Sequence, residues 1–130
     1  MRIGLLFIVS LTFLSLKGDF FESGKASYYA NAFEGRKTSS GEVFRQKLLT
    51  GAHKSLPFGT VVEVKNLSND SIVVLKINDR LPQRSSRVID VSTSAAKQLN
   101  FIRAGIANVE LRIVTPEVEE EVIPATEAEE

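Results

Sequence analysis

The residues able to do chemistry are few and fall in separate segments. A single histidine, His53, lies in TGAHKSLPFGT (Thr50 to Thr60), and two carboxylates stand beside Gly-, Ser- or Pro-rich stretches: Glu42 in TSSGEVF and Asp79 in INDRLP. An imidazole can give and take a proton near neutral pH. A carboxylate at the end of a strand is aimed by a rigid element. Together these groups suit acid–base work on a bound substrate, although each also has a plainer reading. A lone histidine is more often structural, an aspartate after a strand often bonds its own turn, and Glu42 by itself would pass as a surface residue. Asp90, in RVID, reads as a polar residue pinning neighbouring strands. Five rings, Tyr28, Tyr29, Phe33, Phe44 and Phe58, lie in or next to loops. Sugar rings stack their apolar faces on such side chains, but aromatics also fill cores. Tyr28 or Tyr29, with Phe33, is expected to face ligand and the remainder to pack inside.

Other chemistries find no support in the sequence. Cysteine is absent, which removes disulfides, thiolate metal ligands, a thiol nucleophile and the thioether-linked lipid of a lipoprotein. One histidine with scattered carboxylates has no metal-ligand spacing. There is no G-x-S-x-G elbow and no phosphate-binding glycine motif. No metal or cofactor is implied.

The elements that must position these residues follow from hydropathy and charge. A chain of 130 residues has room for one compact core. Met1–Arg2 and the apolar run from Ile3 to Leu16 have the form of a secretory signal, expected over residues 1–18, with retention as an uncleaved anchor as the alternative. The run is too short for a confident transmembrane helix. Gly24 to Ala30 is expected as the first strand, and Asn31 to Gly41 as a long loop. Gly59 to Leu67 and Ser71 to Asn78 are β-branched runs joined by the turn formers Ser68, Asn69 and Asp70, hence a hairpin. Arg87 to Val91 reads as a short strand. Ser92-Thr93-Ser94 offers an N-cap for a helix through Ala95, Ala96 and Leu99, and Ala107 to Val114 alternates as a closing strand. Five or six strands with one helix suit a small closed barrel. From Gly24 to Thr115 there are 14 Lys and Arg against 7 Asp and Glu, a balance of +7, whereas residues 116–130 hold seven glutamates and no cation. A basic domain attracts polyanions, and the acidic tail is expected to be disordered.

The segments GKASYYA, FEGRKTSSGEVF, LLTGAHKSLPFGTVVEVKNL, SIVVLKINDRLP and RVIDVSTSAAKQL, in that order, resemble the rare lipoprotein A (RlpA) family. The resemblance spans about Gly24 to Val114 and implies a mostly β fold: a six-stranded double-psi β-barrel with one or two short helices, assigned to residues 24–115. It also implies lytic transglycosylase action on peptidoglycan, cleaving MurNAc–GlcNAc strands to 1,6-anhydro ends. Asp79 would be the acid that protonates the leaving oxygen, its pKa raised by burial or by Glu42. The same group, or His53 sharing a hydrogen bond with it, would then take the C6 hydroxyl proton. Thr38, Asn78 and Arg80 join Tyr28, Tyr29 and Phe33 as the side chains expected to meet substrate. Leu81 replaces the glycine usual after N-D-R, so a reshaped turn and a narrower groove are expected.

Two functions therefore stand side by side. One is an exported enzyme of the periplasm or cell envelope, with peptidoglycan strands as its partner. The other is an expansin-like module that grips glycan without cutting it. Nucleic acid is not expected as a partner, because an export signal would separate the two.

Overall fold

The computed structural model describes residues 12–16 and 21–118. Its strands are β1 (Thr12–Leu16), β2 (Glu22–Tyr28), β3 (Thr50–His53), β4 (Val61–Asn66), β5 (Ile72–Arg80), β6 (Ile89–Val91) and β7 (Ala107–Val118), with a 3-10 turn at Asn31–Phe33 and one helix, α1 (Thr93–Gln98). Strands β2 to β7 form a closed ring in the order β7-β2-β6-β3-β5-β4, sealed by β4 against β7, while β1 adds to the outside of β7. Two pairs in the ring are parallel, β2 with β6 and β3 with β5, and β3 runs antiparallel to β6 between them. Closure leaves the ring no unpaired edge, and the six-stranded barrel expected from the sequence is the fold observed.

The β-branched runs become strands because one face of each is buried. On β5, Val73, Leu75 and Ile77 are buried, while Ile72 and Val74 are exposed. Val62 and Val64 of β4, Ile89 and Val91 of β6 and Val109 and Leu111 of β7 complete the core, plugged by Ala95, Ala96 and Leu99 of the helical segment. Ser92 caps α1, its Oγ accepting from the Ala95 N–H at 3.3 Å. At the other end the Leu99 carbonyl accepts from Asn66 Nδ2 (2.8 Å), Asn69 Nδ2 (3.2 Å) and Ser71 Oγ (3.0 Å), so the β4–β5 hairpin holds the helix end. Inside that hairpin Asp70 has φ of 64°, a left-handed turn position tolerated by aspartate.

Several boundaries differ from expectation. Thr50–His53, to which the sequence assigned no strand, is strand β3. Its Gly-Ala centre has no β-branched signature, and Gly51 sits in close quarters: a Cβ would lie 3.2 Å from the Asp90 carbonyl oxygen and from Leu75 Cδ1, so those neighbours would have to give by a few tenths of an ångström. Strand β2 starts at Glu22 rather than Gly24, and β5 continues to Arg80, so N-D-R ends a strand instead of forming a turn. Strand β7 runs on to Val118, where a tail was expected from residue 116, and its residues from Val114 to Val118 pair with β1. Residues 1–11 and 17–18 of the expected signal, and 119–130 of the tail, lie outside the described residues.

Candidate active site

An irregularity in the β3–β5 pair builds the site. Gly51 stands opposite Ile77 and Ala52 opposite Asp79, so Asn78 is an extra residue on β5. Such a bulge re-aims side chains. Ile77 still points into the core, whereas the side chains of Asn78 and Asp79, consecutive in sequence, both meet groups from the far side. Asp79 Oδ2 accepts from the Tyr29 hydroxyl at 2.6 Å. Asp79 Oδ1 accepts from the backbone N–H groups of Ser39 and Arg80, each at 2.9 Å. Burial raises the Asp79 pKa, but the hydrogen bonds from Tyr29, Ser39 and Arg80 oppose it and prevail, holding the carboxyl below the usual aspartate range. The resting group is a carboxylate. This corrects the expectation of a raised pKa and an acid in the resting state. The Tyr29 phenol is pushed far above its usual range, first by burial and then by its bond to Asp79.

Tyr29 is therefore not a free stacking platform. Its ring lies stacked on Phe44 at 4.2 Å, with Phe33 edge-on at 5.7 Å. Phe44 is buried, as expected of a packing ring, and Phe33 remains 43% exposed at the rim. Tyr28 points the other way: its hydroxyl donates to the Ile102 carbonyl at 2.9 Å and its ring meets Phe101 at 5.7 Å. Consecutive strand residues face opposite sides, which removes Tyr28 from the ligand face.

The loop from residue 38 to 42 folds over the end of β5. Thr38 Oγ1 lies 2.9 Å from Ser40 Oγ and donates to the Glu42 carbonyl at 2.8 Å, and Ser40 N–H donates to the Asn78 carbonyl at 3.3 Å. Thr38 thus shapes the loop that delivers the Ser39 amide to Asp79. Glu42 does not meet Asp79. Its Oε2 pairs with Lys76 Nζ at 2.8 Å and its Oε1 accepts from Asn78 Nδ2 at 3.1 Å. Those two donors, Lys76 foremost, lower its pKa, and Glu42 is not among the groups that shift that of Asp79.

His53 is placed apart from this cluster. It is 3% exposed. Its Nδ1 accepts from the N–H groups of Ser55 (3.0 Å) and Leu56 (3.1 Å), and its Nε2 lies 2.8 Å from Glu22 Oε1. With Nδ1 occupied as an acceptor, a neutral ring carries its proton on Nε2 and donates to Glu22. The expected His53–Asp79 hydrogen bond is not formed. Although the two are near in sequence register, the ring turns toward the start of β2, where Phe21 packs on it at 5.8 Å. Arg80 turns from the Asp79 carboxylate to lie 4.2 Å from the Phe58 ring centroid, its Nη1 donating to the His53 carbonyl at 3.3 Å. Asp90 accepts from Ser27 across the parallel β2–β6 pair and lies 3.8 Å from Arg87 Nε. Among the described residues, no three His, Asp or Glu side chains are grouped to share a metal ion.

A carboxylate held by a tyrosine and two amides at the mouth of a six-stranded barrel can be compared with known proteins. The family profile described as "Lytic transglycolase", a double-psi β-barrel domain, matches residues 22–111. The chain belongs to this RlpA-like family. It is 50% identical over 93 residues to the "Probable endolytic peptidoglycan transglycosylase RlpA" of Treponema pallidum, covering 72% of this chain and 29% of that protein. It is 45% identical over 91 residues to the "Endolytic peptidoglycan transglycosylase RlpA" of Campylobacter jejuni, covering 70% and 33%. The chain thus spans about a third of the curated relatives it matches. Among solved structures, the Streptomyces papain inhibitor aligns with a TM-score of 0.58 at 20% identity, over 74% of this chain and 97% of that one. An expansin from Clavibacter michiganensis aligns at 0.56 and 19%, over 72% and 50%. These two likenesses concern the fold.

Against the RlpA pattern, the departure at Leu81 has a structural explanation. Leu81 is 4% exposed and packs with Tyr29, Phe44 and Ala52, while its N–H continues the β3–β5 ladder to the His53 carbonyl at 3.2 Å. It packs in the same small cluster as Tyr29, buried rather than standing in an exposed turn. Sequence reasoning on the RlpA motifs passed over Gln46, whose Nε2 donates to the Tyr29 carbonyl (2.9 Å) and whose Oε1 accepts from the Thr93 N–H (2.7 Å), tying the site to α1. It also passed over Lys76. The period-2 pattern of β5 would have found Lys76, since it precedes Asn78 by two on the outward face. Nothing local marks Gln46.

Proposed function

We propose that this chain is an endolytic peptidoglycan lytic transglycosylase in which Asp79 handles both protons. The observation that carries the reading is the Asp79 carboxylate at the end of β5, only partly buried and held ionised by the Tyr29 hydroxyl and the Ser39 and Arg80 amides.

Cleavage to a 1,6-anhydro end breaks the C1–O bond to the next sugar, forms a bond from the C6 oxygen to C1, and moves one proton from the C6 hydroxyl to the departing oxygen. Asp79 Oδ2, ionised at rest, withdraws the C6 proton as that oxygen closes on C1, then passes it to the leaving oxygen. The carboxylate is regenerated and no water is consumed, unlike hydrolysis by two carboxylates flanking the bond. Tyr29 and the Ser39 amide hold the carboxylate in place. Phe33, exposed beside Tyr29, offers a face for a sugar ring, and Asn78 with Arg80 flanks the path. His53 acts through structure, locking the loop after β3 to β2. Residues 1–18 serve as an export signal, placing the barrel at the wall of the cell envelope, and its +7 balance draws it to the anionic polymer.

The resting carboxylate also fits an expansin-like module, since it can grip sugar hydroxyls without cutting. The test is incubation of the full chain and its Asp79→Asn variant with intact and peptide-stripped peptidoglycan, with products read by mass spectrometry. Anhydro-ended fragments from the parent alone support the enzyme. Binding to stripped glycan with no fragments from either protein overturns it in favour of the module.

A further inference from the structure

The stretch between β2 and β3 folds into an arm that reaches the end of β5. Its two sides run together: Gly35 N–H donates to the Phe44 carbonyl at 2.9 Å, Phe44 N–H donates to the Arg36 carbonyl at 2.7 Å, and Lys37 is bridged to Val43. The tip brings the Ser39 amide to Asp79, while Tyr29, the other donor to that carboxylate from outside β5, stands where the arm leaves β2. Both ends of the arm meet at Gln46. At the departing end its Nε2 donates to the Tyr29 carbonyl at 2.9 Å and to Asn31 Oδ1 at 3.3 Å. Its own N–H donates to Glu34 Oε1 at 2.8 Å, and the other oxygen of that carboxylate accepts from Arg45 at 3.3 Å. On the side of α1, Gln46 Oε1 accepts from the Thr93 N–H at 2.7 Å and the Gln46 carbonyl from the Ser94 N–H at 3.1 Å. The amide thus uses its donor and its acceptor on different segments, which a methylene chain of the same length could not do.

We propose that Gln46 is a positioning residue for the reaction at Asp79: by clamping the two ends of the arm to each other and to α1, it sets the Tyr29 hydroxyl and the Ser39 amide on the carboxylate. The inference rests on the transglycosylase reading and deepens it, and Gln46 acts through Tyr29 and the arm rather than on substrate. The charged side chains around the site are engaged elsewhere, Arg80 over Phe58, Lys76 with Glu42 and Asp90 with Arg87. What holds Asp79 ionised is a set of neutral donors, Tyr29, Ser39 and the Arg80 amide, and the first two belong to the arm and its root. A loosened arm weakens those bonds, and a carboxylate that loses donors is protonated more readily.

The test reads Asp79 directly, by carbon NMR titration of its side-chain carboxyl in the full chain, with Asp79→Asn identifying the signal. Gln46→Met keeps the side chain's length and removes its donor and acceptor. The Asp79 midpoint is expected to rise by about half to one pH unit, and the rate of anhydro-product formation at saturation to fall about fivefold with KM unchanged. Glu34→Ala, at an exposed position, releases the Gln46 N–H without threatening the fold. Losing that negative charge would by itself lower the midpoint, so a rise, smaller than in Gln46→Met, reports the arm. Asn66→Ala frees the far end of α1 from the β4–β5 hairpin and is expected to lower the melting temperature while leaving the midpoint in place. An unmoved midpoint in folded Gln46→Met, or in Glu34→Ala should Gln46→Met not fold, makes Gln46 a purely structural residue and overturns the proposal. An equal rise in Asn66→Ala overturns it too. The expected rise with no anhydro product from any of the proteins keeps the clamp on Asp79 and brings down the transglycosylase reading instead.

Discussion

Asp79 and His53 sit one register step apart on the same parallel strand pair, Ala52 opposite Asp79 and His53 opposite Arg80, yet they meet opposite surroundings. The histidine has both ring nitrogens engaged within the protein and almost no exposed surface. The aspartate is only partly buried. Residue type made these two equal candidates. What separates them is exposure, and a side chain sealed inside the protein with its bonds satisfied there has little to offer a substrate.

Substitutions at the two positions should separate their roles. Asp79→Asn should remove at least about a hundredfold of the anhydro-product rate, the usual scale for a lost proton-transfer group, as followed by mass spectrometry. His53→Ala should instead act on stability. It strands two backbone N–H groups and the Glu22 contact and should cost about 1–3 kcal/mol in urea unfolding, with the rate per folded molecule near the parent's. A rate loss matching that of Asp79→Asn in a stably folded His53 variant would return the histidine to the proton path.

Tyr29→Phe should have a middling effect, slowing the reaction about tenfold and altering its pH profile. With the Asp79 pKa depressed in the folded state, the working carboxylate and the stability it confers persist well into acid and are lost as pH falls through that depressed value. Removing the Tyr29 hydroxyl lets the pKa rise, so the acidic fall in rate should move to higher pH. An unmoved profile would show that the tyrosine does not tune the aspartate. Glu42→Gln should change least. It ends a half-exposed ion pair with Lys76 but can still accept from Asn78, and exposed pairs contribute little to stability. A rate loss as large as that of Asp79→Asn would place Glu42 in the chemistry.

The barrel was legible because its strands carry an alternating apolar face, and Ser92 was legible as a cap from residue type alone. Asp79 was found from its place at a strand end and Glu42 from its loop. Their partners were not legible, because Tyr29 reaches Asp79 across 50 residues and Ser39 across 40, contacts that exist only once the ring has closed. Strand β3 was hidden for a related reason: Gly51 is closely approached by Asp90, Leu75 and Ile89, a crowding that favours a small residue over a β-branched one. The pKa direction at Asp79 follows the same rule, since it is set by donors delivered from elsewhere in the chain.

The bulge at Asn78 also bears on how such a site is assembled over evolutionary time. Removing Asn78 would restore an unbroken ladder with Ile77 still opposite Gly51 and Asp79 still opposite Ala52. The aspartate would keep its seat and only the neighbour would vanish. Asn78 therefore behaves as an inserted module: a single-codon gain or loss can add or delete its amide, and with it the contact to Glu42, without rewriting the core. Chains of this fold that differ by one residue at that point should differ in what they recognise more than in whether they fold.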